Sequence, residues 1–283
     1  MYAKTCLENR TSPVDPPQRG RFVVWHALVW LMAAPLLGTA VARAAVWIEH
    51  FRAPLVIFPL LAGCGLGLLL VLLMRLAQIG HRPTLLIGAV LAVIAAVAGQ
   101  HGFSYLDYRA ARAEFIAQKH EGLSLEDLPE MMSVAPPSFA DYMRAQAAVG
   151  RPITEKFVLR GAAAWASWAV DGLLVLATTV AIVSIAGRAP YCNVCRSWYR
   201  TVRTGALGGD AAVKLAEAAS LRIAEPLGAA HYRLSHCASG CGPARLQLAR
   251  DGAQGDARRC EAWLVAVERE RVVKVLDNER GSS

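Results

Sequence analysis

The chain divides at Pro190-Tyr191-Cys192-Asn193-Val194-Cys195-Arg196-Ser197-Trp198-Tyr199-Arg200, a stretch that follows directly on the last long apolar run. Two cysteines separated by two residues close a tight turn and direct both sulfurs toward one point, as a tetrahedral metal requires. A second close pair, Cys237 and Cys241, follows later in the polar tail. The stretch therefore predicts the start of a metal-binding domain at the end of an apolar region.

The composition is that of a membrane protein. Of the 283 residues, 55% are hydrophobic and 18% are charged, whereas a soluble protein has about 25% charged residues. The net charge is +8, which suits an anionic partner, although basic residues beside membrane helices also arise from topology. The seven cysteines are an odd number concentrated toward one end, and this argues against a secreted disulfide scaffold.

Four apolar runs are long enough to cross a bilayer, which takes about 20 residues. They extend from Phe22 to about Ile48, from Leu55 to Met74, from Thr84 to about Gly102, and from Gly161 to Ala186. The first run contains Ala40-Val41-Ala42, which satisfies the rule for signal-peptide cleavage. An uncleaved anchor is favoured because the run is long and because the polar lead before it is longer than the n-region of a usual signal peptide.

The second run contains Gly63-Cys64-Gly65-Leu66-Gly67, where small residues predict close packing against another helix. Leu61-Ala62-Gly63-Cys64 is also similar to a lipoprotein lipobox, but an entire span precedes it. Packing is therefore the favoured interpretation.

The predicted organisation has three parts. Residues 1–21 form a disordered lead, and residues 22–186 form a four-span membrane domain with a polar helical loop at 103–160. In that loop, the composition of Tyr105–Lys119 predicts a helix. Ser138 is predicted as the N-cap of a second helix, with Asp141 three residues later in the position of a capping box. Residues 187–283 form a small α+β, zinc-ribbon-like domain.

The tail shows one helical and three strand-like segments. Asp210–Ala219 has helical composition, and Ala244–Arg250, Arg259–Glu268 and Arg271–Asp277 alternate as strands do. Cys260 falls in the second of these strands as a small apolar residue.

Lysine and arginine bias predicts the orientation. Four spans place both termini on one side, and the bases near the spans are more numerous on that side. Reduced cysteines also belong in a reducing compartment. We therefore expect a multi-pass protein of the bacterial inner membrane with both termini in the cytoplasm.

Structural zinc is the predicted cofactor, bound by Cys192, Cys195, Cys237 and Cys241. A four-cysteine site has no open position for a substrate, so it stabilises a fold rather than catalysing a reaction. Two alternatives stay open at this point. His236 could replace one ligand, or Cys192 and Cys195 could form a thiol–disulfide centre.

Asp171 is the unusual residue of the apolar region, because it lies about 15 Å into the fourth run. A carboxyl group there has either an ion-handling role or a structural role as a hydrogen-bonding group. No second acid or base faces it at helical spacing, which favours the structural role.

An aromatic and basic patch is predicted where the tail meets the membrane. Its members are Arg196, Trp198, Tyr199, Arg200 and Arg203. Contact with lipid headgroups is the favoured role, and nucleic-acid binding is disfavoured because the patch is short.

Four short motifs occur in a distinctive order: Ser138-Phe139-Ala140-Asp141-Tyr142, Gly150-Arg151-Pro152-Ile153, Trp165-Ala166-Ser167-Trp168-Ala169-Val170-Asp171, and the Tyr191–Tyr199 stretch. In this the chain resembles uncharacterised bacterial membrane proteins with several spans and a C-terminal C-x2-C domain. The resemblance implies the architecture and no particular reaction.

Three functions are compatible with these features. The favoured hypothesis is a non-enzymatic membrane protein whose cytosolic zinc domain binds a protein partner or the membrane surface. The alternative is a small transporter or channel component that uses Asp171, and a third is thiol exchange at Cys192 and Cys195.

Overall fold

The computed structural model describes residues 20–49, 57–119, 138–154, 157–221, 229–250 and 259–281. The chain forms two compact units. A helical unit comprises Val23–Ala77 and Arg82–Gly187, and a tail unit comprises Gln78–His81 and the chain from Arg188, together with the N-terminal residues up to Phe22. The predicted polar lead lies outside the described residues except for Gly20 and Arg21.

The helical unit consists of five described helices and one short strand pair. In chain order these are α1 (Val24–Glu49), α2 (Ile57–Leu76), α3 (Arg82–Lys119), α4 (Phe139–Val149), β1 (Arg151–Thr154), β2 (Phe157–Leu159) and α5 (Ala162–Ala186). α1, α2, α3 and α5 are long and apolar enough to cross a membrane. They coincide with the four apolar runs in the sequence.

α3 is one continuous helix of 38 residues, whereas the sequence predicted a span ending near Gly102 and a separate helix from Tyr105. A single glycine inside a helix costs only about 1 kcal/mol relative to alanine. The residues that follow Gly102 are mostly good helix formers, and no proline interrupts them. The helix therefore continues to Lys119, over a length of about 57 Å.

Small residues bring the long helices into close contact, as the glycine cluster in α2 predicts. A Cβ atom on Gly63 would lie 3.0 Å from the Val175 carbonyl oxygen of α5. The Thr179 hydroxyl donates a hydrogen bond of 3.1 Å to the Gly63 carbonyl. Gly67 faces Ile182, while Gly65 faces open space. The packing interpretation of Gly63 and Gly67 is confirmed.

The predicted N-cap of α4 is also confirmed. The Ser138 hydroxyl oxygen accepts the Asp141 N–H at 3.2 Å, and the same hydroxyl donates to the Asp141 carboxylate at 2.6 Å. Gly150 caps the C-terminus of α4, and its φ of +92° is a conformation that glycine adopts without strain. This turn places Arg151 at the start of β1.

The tail unit combines a small hairpin with a four-stranded sheet. Its elements are β3 (Tyr191–Cys192), β4 (Ser197–Trp198), β5 (Arg200–Leu207), α6 (Gly209–Ala218), β6 (Ala230–His236), β7 (Ala244–Arg250), β8 (Arg259–Leu264) and α7 (Ala266–Gly281). The sheet is antiparallel with the order β5-β6-β7-β8, and β3 pairs with β4. Leu215 of α6 and Leu276 of α7 pack with inward-facing strand residues in one buried core.

The predictions for the tail are confirmed in part. The helix at Asp210–Ala219 and the strand Ala244–Arg250 are present, and β8 ends at Leu264 rather than continuing to Glu268. The prediction of a strand at Arg271–Asp277 is wrong, because this segment lies in α7. Two of its apolar residues, Val272 and Leu276, are four apart and both buried, which is the spacing of one helix face.

The start of α7 is stabilised by a local hydrogen bond. The Glu268 carboxylate accepts the Val265 N–H at 3.1 Å, so an unpaired donor at the helix start is satisfied. The β-branched residues between Arg271 and Asp277 are typical of a strand, which explains the wrong prediction.

Strands β5 and β6 were not predicted.

Candidate metal centre

The first cysteine pair is positioned by the β3–β4 hairpin. Cys192 pairs with Ser197 across the two strands, and residues 193–196 form the turn between them. The turn directs the backbone N–H groups of Val194 and Cys195 toward the Cys192 sulfur. Arg196 closes the turn with a φ of +50°. The hairpin thus holds both sulfurs on one side of a short loop.

The second pair is positioned by the loop that joins β6 to β7. Gly240 has a φ of +63°, and its N–H donates a hydrogen bond of 3.0 Å to the Cys237 carbonyl. The Gly242 N–H donates to the Cys237 sulfur at 3.3 Å. Glycine suits both positions, because a Cβ atom on Gly242 would approach the Tyr199 hydroxyl to 2.9 Å.

The structure brings all four predicted sulfur ligands together. The Sγ atoms of Cys192, Cys195, Cys237 and Cys241 lie within 4.8 Å of one another. The Cys192–Cys241 sulfur distance is 3.6 Å, and the Cys237–Cys241 distance is 3.7 Å. A tetrahedral ion with metal–sulfur bonds of about 2.3 Å separates its sulfurs by about 3.8 Å. The cluster is therefore of the right size and composition to hold one metal ion.

Neighbouring polar groups connect the two cysteine loops. The Ser197 hydroxyl lies 3.0 Å from the Cys195 sulfur and accepts the Ala238 N–H at 3.1 Å, so it links the first loop to the second. The Tyr199 hydroxyl donates a hydrogen bond of 2.8 Å to the Pro243 carbonyl. These contacts orient the ligands in the way that outer-shell groups do around metal sites.

Burial and hydrogen bonding shift the thiol pKa values in opposite directions. Burial raises the pKa of Cys192, which is 4% exposed, and contributes to raising the pKa of Cys241 to about 12. Burial also raises the pKa of Cys195, but hydrogen bonds from Ser197 and the other thiols outweigh it and lower that pKa to about 6. Metal binding requires deprotonated sulfur atoms, so it would release protons from the cluster.

The geometry favours metal binding over thiol exchange. All four cysteines are free thiols. A redox C-x2-C pair usually lies at a helix N-terminus, whereas Cys192 and Cys195 occupy a β-hairpin with a matching second pair. His236 is not part of the cluster, and its Nδ1 lies 2.6 Å from the Cys237 carbonyl oxygen. Cys260 lies in the buried core of the sheet, outside the cluster.

The predicted aromatic and basic patch is corrected by the structure. Trp198 and Tyr199 are buried, with exposed fractions of 3% and 7%, so they contribute no surface. Both aromatic residues pack around the cysteine loops instead, with Trp198 against Tyr191 and Tyr199 against Trp263. Alternation along the short strand could not reveal this, because the hairpin is covered on both faces.

The basic members of the patch have different environments. Arg196 and Arg200 are exposed. Arg203 forms an ion pair of 2.6 Å with Asp277 of α7. Val194, at the tip of the hairpin turn, is 79% exposed. The surface that remains is the turn tip with Arg196, together with Arg200 at the start of β5.

Asp171 lies in α5 and forms an ion pair with Arg151 of β1. Spacing within the apolar runs did not reveal this partner, because Arg151 belongs to the hairpin before α5. The side chains are 24% and 21% exposed for Arg151 and Asp171, respectively. The carboxylate is therefore paired rather than isolated.

Comparison of the chain with protein-family models, with curated proteins and with solved structures gave no match.

Replacing any one of the four clustered cysteines with serine should remove the bound metal, because a serine hydroxyl is a much weaker ligand than a thiolate. The measurement is metal content per chain of the purified full-length protein. We expect about one equivalent in the wild type, because the cluster has four ligands for one tetrahedral ion. Cys64→Ser is the matched control, since this free cysteine lies in α2, and it should leave the metal content unchanged. A folded, metal-free wild type with these cysteines in disulfides would contradict the prediction.

Ser197→Ala should weaken metal binding about 10- to 100-fold, the usual effect of losing an outer-shell contact. The substitution removes the hydroxyl that joins the Cys195 sulfur to the Ala238 N–H. Competition with a chromophoric chelator measures the affinity. Ser235→Ala is a close control, because Ser235 and Ser197 are both 8% exposed but Ser235 lies in β6. Equal losses in both variants would show that the hydroxyl has no specific role.

Proposed function

We propose that this chain is a multi-pass protein of the bacterial inner membrane that displays a zinc-stabilised, partner-binding domain in the cytoplasm. The observation that carries the proposal is the closed four-sulfur cluster. Four protein ligands fill a tetrahedral coordination sphere and leave no position for a substrate or an activated water. Such a site supports a structural role and a non-enzymatic function.

Zinc is the metal that this ligand set suits best. Tetrahedral sites with four thiolates take zinc or iron, and zinc adds no redox chemistry. The tail unit has a small core, so its fold needs further stabilisation. A bound zinc ion would supply it, because the free energy of metal binding adds to the stability of the fold.

Membrane insertion is supported by the outer surfaces of the long helices. Leu61, Leu68 and Leu72 of α2 are 55–65% exposed, as are Leu173 and Ile185 of α5 at 63% and 65%. Soluble proteins rarely expose apolar surfaces that extend along whole helices. A lipid environment accounts for this exposure, and the lysine and arginine bias then places both termini in the cytoplasm.

The turn tip of the hairpin is the surface proposed for the partner. Val194 is 79% exposed, Arg196 is exposed in the same turn, and Arg200 is exposed at the start of β5. An exposed apolar side chain with two exposed arginines on the same short segment suits an acidic protein surface, and it also suits anionic lipid headgroups. Nucleic acid is a weaker candidate, since the basic surface is short.

The ion pair of Asp171 does not favour the transporter alternative, which stays a prediction. A proton- or ion-handling carboxylate must change its charge state during the cycle. Asp171 is held in an ion pair with Arg151, and release of the carboxylate would leave the guanidinium without its partner. The ion-handling role stays a prediction subordinate to the partner-binding role.

Topology reporters test the proposed orientation. Reporters placed after Arg19 and at Gly281 should give a cytoplasmic signal, and one at Gly122 should give a far-side signal. A reporter at Gly80 would also be expected in the cytoplasm, but a side chain there would lie 2.6 Å from the Tyr191 ring and disturb the tail unit. A far-side signal at Gly281 would overturn the orientation and the reduced-zinc proposal together.

Crosslinking in the cell tests the partner-binding role. A photoreactive residue at Val194 should give a protein adduct that the charge reversal Arg196→Glu/Arg200→Glu abolishes, because an acidic partner would then be repelled. The reversal should not change the metal content. The matched control reverses Lys214 and Lys274, which are exposed on α6 and α7, and should keep the adduct. If the only adducts are with lipid, the protein partner is contradicted and the membrane surface is the binding partner of the turn.

A further inference from the structure

A polar cavity of about 290 Å³ lies within the helical unit. Its polar lining comes from α3 (Gln100, His101 and Ser104), α4 (Gln146), β1 (Arg151) and α5 (Asp171). This volume equals that of about ten water molecules, and it lies at the lower end of the range for small-ligand pockets, about 300 Å³. The cavity therefore has room for a small molecule.

The charged side chains lining the cavity are Arg151 and Asp171, which pair with each other. This pair differs from the other ion pair between described elements of the helical unit. Arg43 of α1 and Asp107 of α3 are 56% and 46% exposed, whereas Arg151 and Asp171 are 24% and 21% exposed. Solvent screens the first pair more strongly. The second pair therefore lies in a partly enclosed and less screened space.

Neutral polar and aromatic groups complete the lining. The His101 ring contacts the edge of the Trp168 ring at 5.6 Å between centroids, so the imidazole is held beside α5. The Ser104 hydroxyl donates to the Gln100 carbonyl at 2.9 Å. Tyr142 and Trp168 add aromatic surface, which is favourable for an ammonium group. The lining thus offers hydrogen-bond donors and acceptors together with one positive and one negative charge.

Charge balance determines which ligand fits. A simple anion that occupied Arg151 would leave Asp171 without a partner, and a simple cation on Asp171 would do the same to Arg151. Leaving one charge of such a pair uncompensated is strongly unfavourable. A ligand that carries both charges compensates both side chains at once.

We propose that this cavity binds a small zwitterion whose oxyanion contacts Arg151 and whose ammonium group contacts Asp171. The guanidinium matches carboxylate and phosphate oxygens with two parallel hydrogen bonds. Val97 and Val175 provide apolar lining for the rest of the molecule. A free amino acid and the headgroup of phosphatidylethanolamine both have this chemistry.

The proposal is independent of the metal centre. All residues that line the cavity belong to the helical unit, and the cysteine cluster belongs to the tail unit. Loss of zinc would not contradict it, and failure of zwitterion binding would leave the metal centre unaffected.

The first experiment uses full-length protein in detergent and measures binding by calorimetry. The probes are leucine, isovalerate and isoamylamine, which share a branched apolar part. Leucine carries both charges, isovalerate carries only the negative charge, and isoamylamine carries only the positive charge. Phosphoethanolamine, phosphate and ethanolamine form a second series. We expect the zwitterion of at least one series to bind, and its singly charged analogues to bind about 100-fold more weakly or not at all, because each leaves one charge uncompensated. Equal binding of an anion and its zwitterion would overturn the proposal, as would no binding in either series.

The second experiment tests the assigned residues. Arg151→Gln/Asp171→Asn keeps two hydrogen-bonding groups at the site and avoids an unpaired charge, so the variant should fold. It should bind the zwitterion about 100-fold more weakly, because both charge-assisted contacts are lost. Arg43→Gln/Asp107→Asn removes the other pair and should bind as the wild type does. Unchanged affinity in the first variant, or an equal loss in both, would overturn the assignment.

Nanodiscs distinguish the two sources of the ligand. If the ligand is a lipid headgroup, phosphatidylethanolamine nanodiscs should raise the thermal midpoint of the wild type relative to phosphatidylglycerol nanodiscs, and the Arg151→Gln/Asp171→Asn variant should lose the difference. If it is a free amino acid, leucine should bind equally well in both lipids. If phosphatidylethanolamine still stabilises this variant, the lipid binds at another site. That result would contradict the proposal that its headgroup occupies the cavity.

Discussion

The tail unit depends on the convergence of four sulfur atoms. Cys192 and Cys195 come from a hairpin, while Cys237 and Cys241 come from a loop between two sheet strands, and all four Sγ atoms lie within 4.8 Å. Four thiolates at such distances would repel one another without a cation between them. A metal ion bound by these cysteines would convert this repulsion into a crosslink between the hairpin and the sheet. For a domain of this size, one such crosslink would add to the stability that its small core provides.

The surrounding residues show how the hairpin is attached to the rest of its unit. The Tyr191 hydroxyl donates to the Gln78 carbonyl at 2.7 Å, and the Trp198 N–H donates to the Gln78 side chain at 3.3 Å. On the other side, Tyr199 contacts Trp263 of β8. Aromatic residues that the sequence placed on a surface therefore fix the cysteine loops between the Gln78–His81 segment and the sheet.

The ligands and the long helices were predictable because their signals are local. Spacing alone identifies a C-x2-C and a C-x3-C pair, and the length of an apolar run identifies a helix that could span a bilayer. The helix at Arg271–Asp277 was not predictable in this way, because its β-branched residues alternate while its buried pair, Val272 and Leu276, follows the helical period. Tertiary packing decides between the two patterns.

The partner of Asp171 was beyond sequence reasoning for a different reason. A search at helical spacing examines positions within the apolar runs, whereas Arg151 reaches α5 through a turn and a strand pair. The same limit applies to the cavity, which requires α3, α4, β1 and α5 to meet. Local patterns locate an unusual side chain, but only the fold shows what compensates its charge.

The order of Arg151 and Asp171 along the chain has a consequence for biosynthesis. They are 20 residues apart, and Arg151 comes first. Translation therefore produces the guanidinium and the β1–β2 hairpin before the helix that carries the carboxylate. If α5 is inserted into a membrane, the group that pairs with Asp171 has already been synthesised on the adjoining segment. Because Arg151 precedes Asp171 closely in the chain, the ion pair can form as soon as α5 has been synthesised, and it does not depend on residues further along the chain.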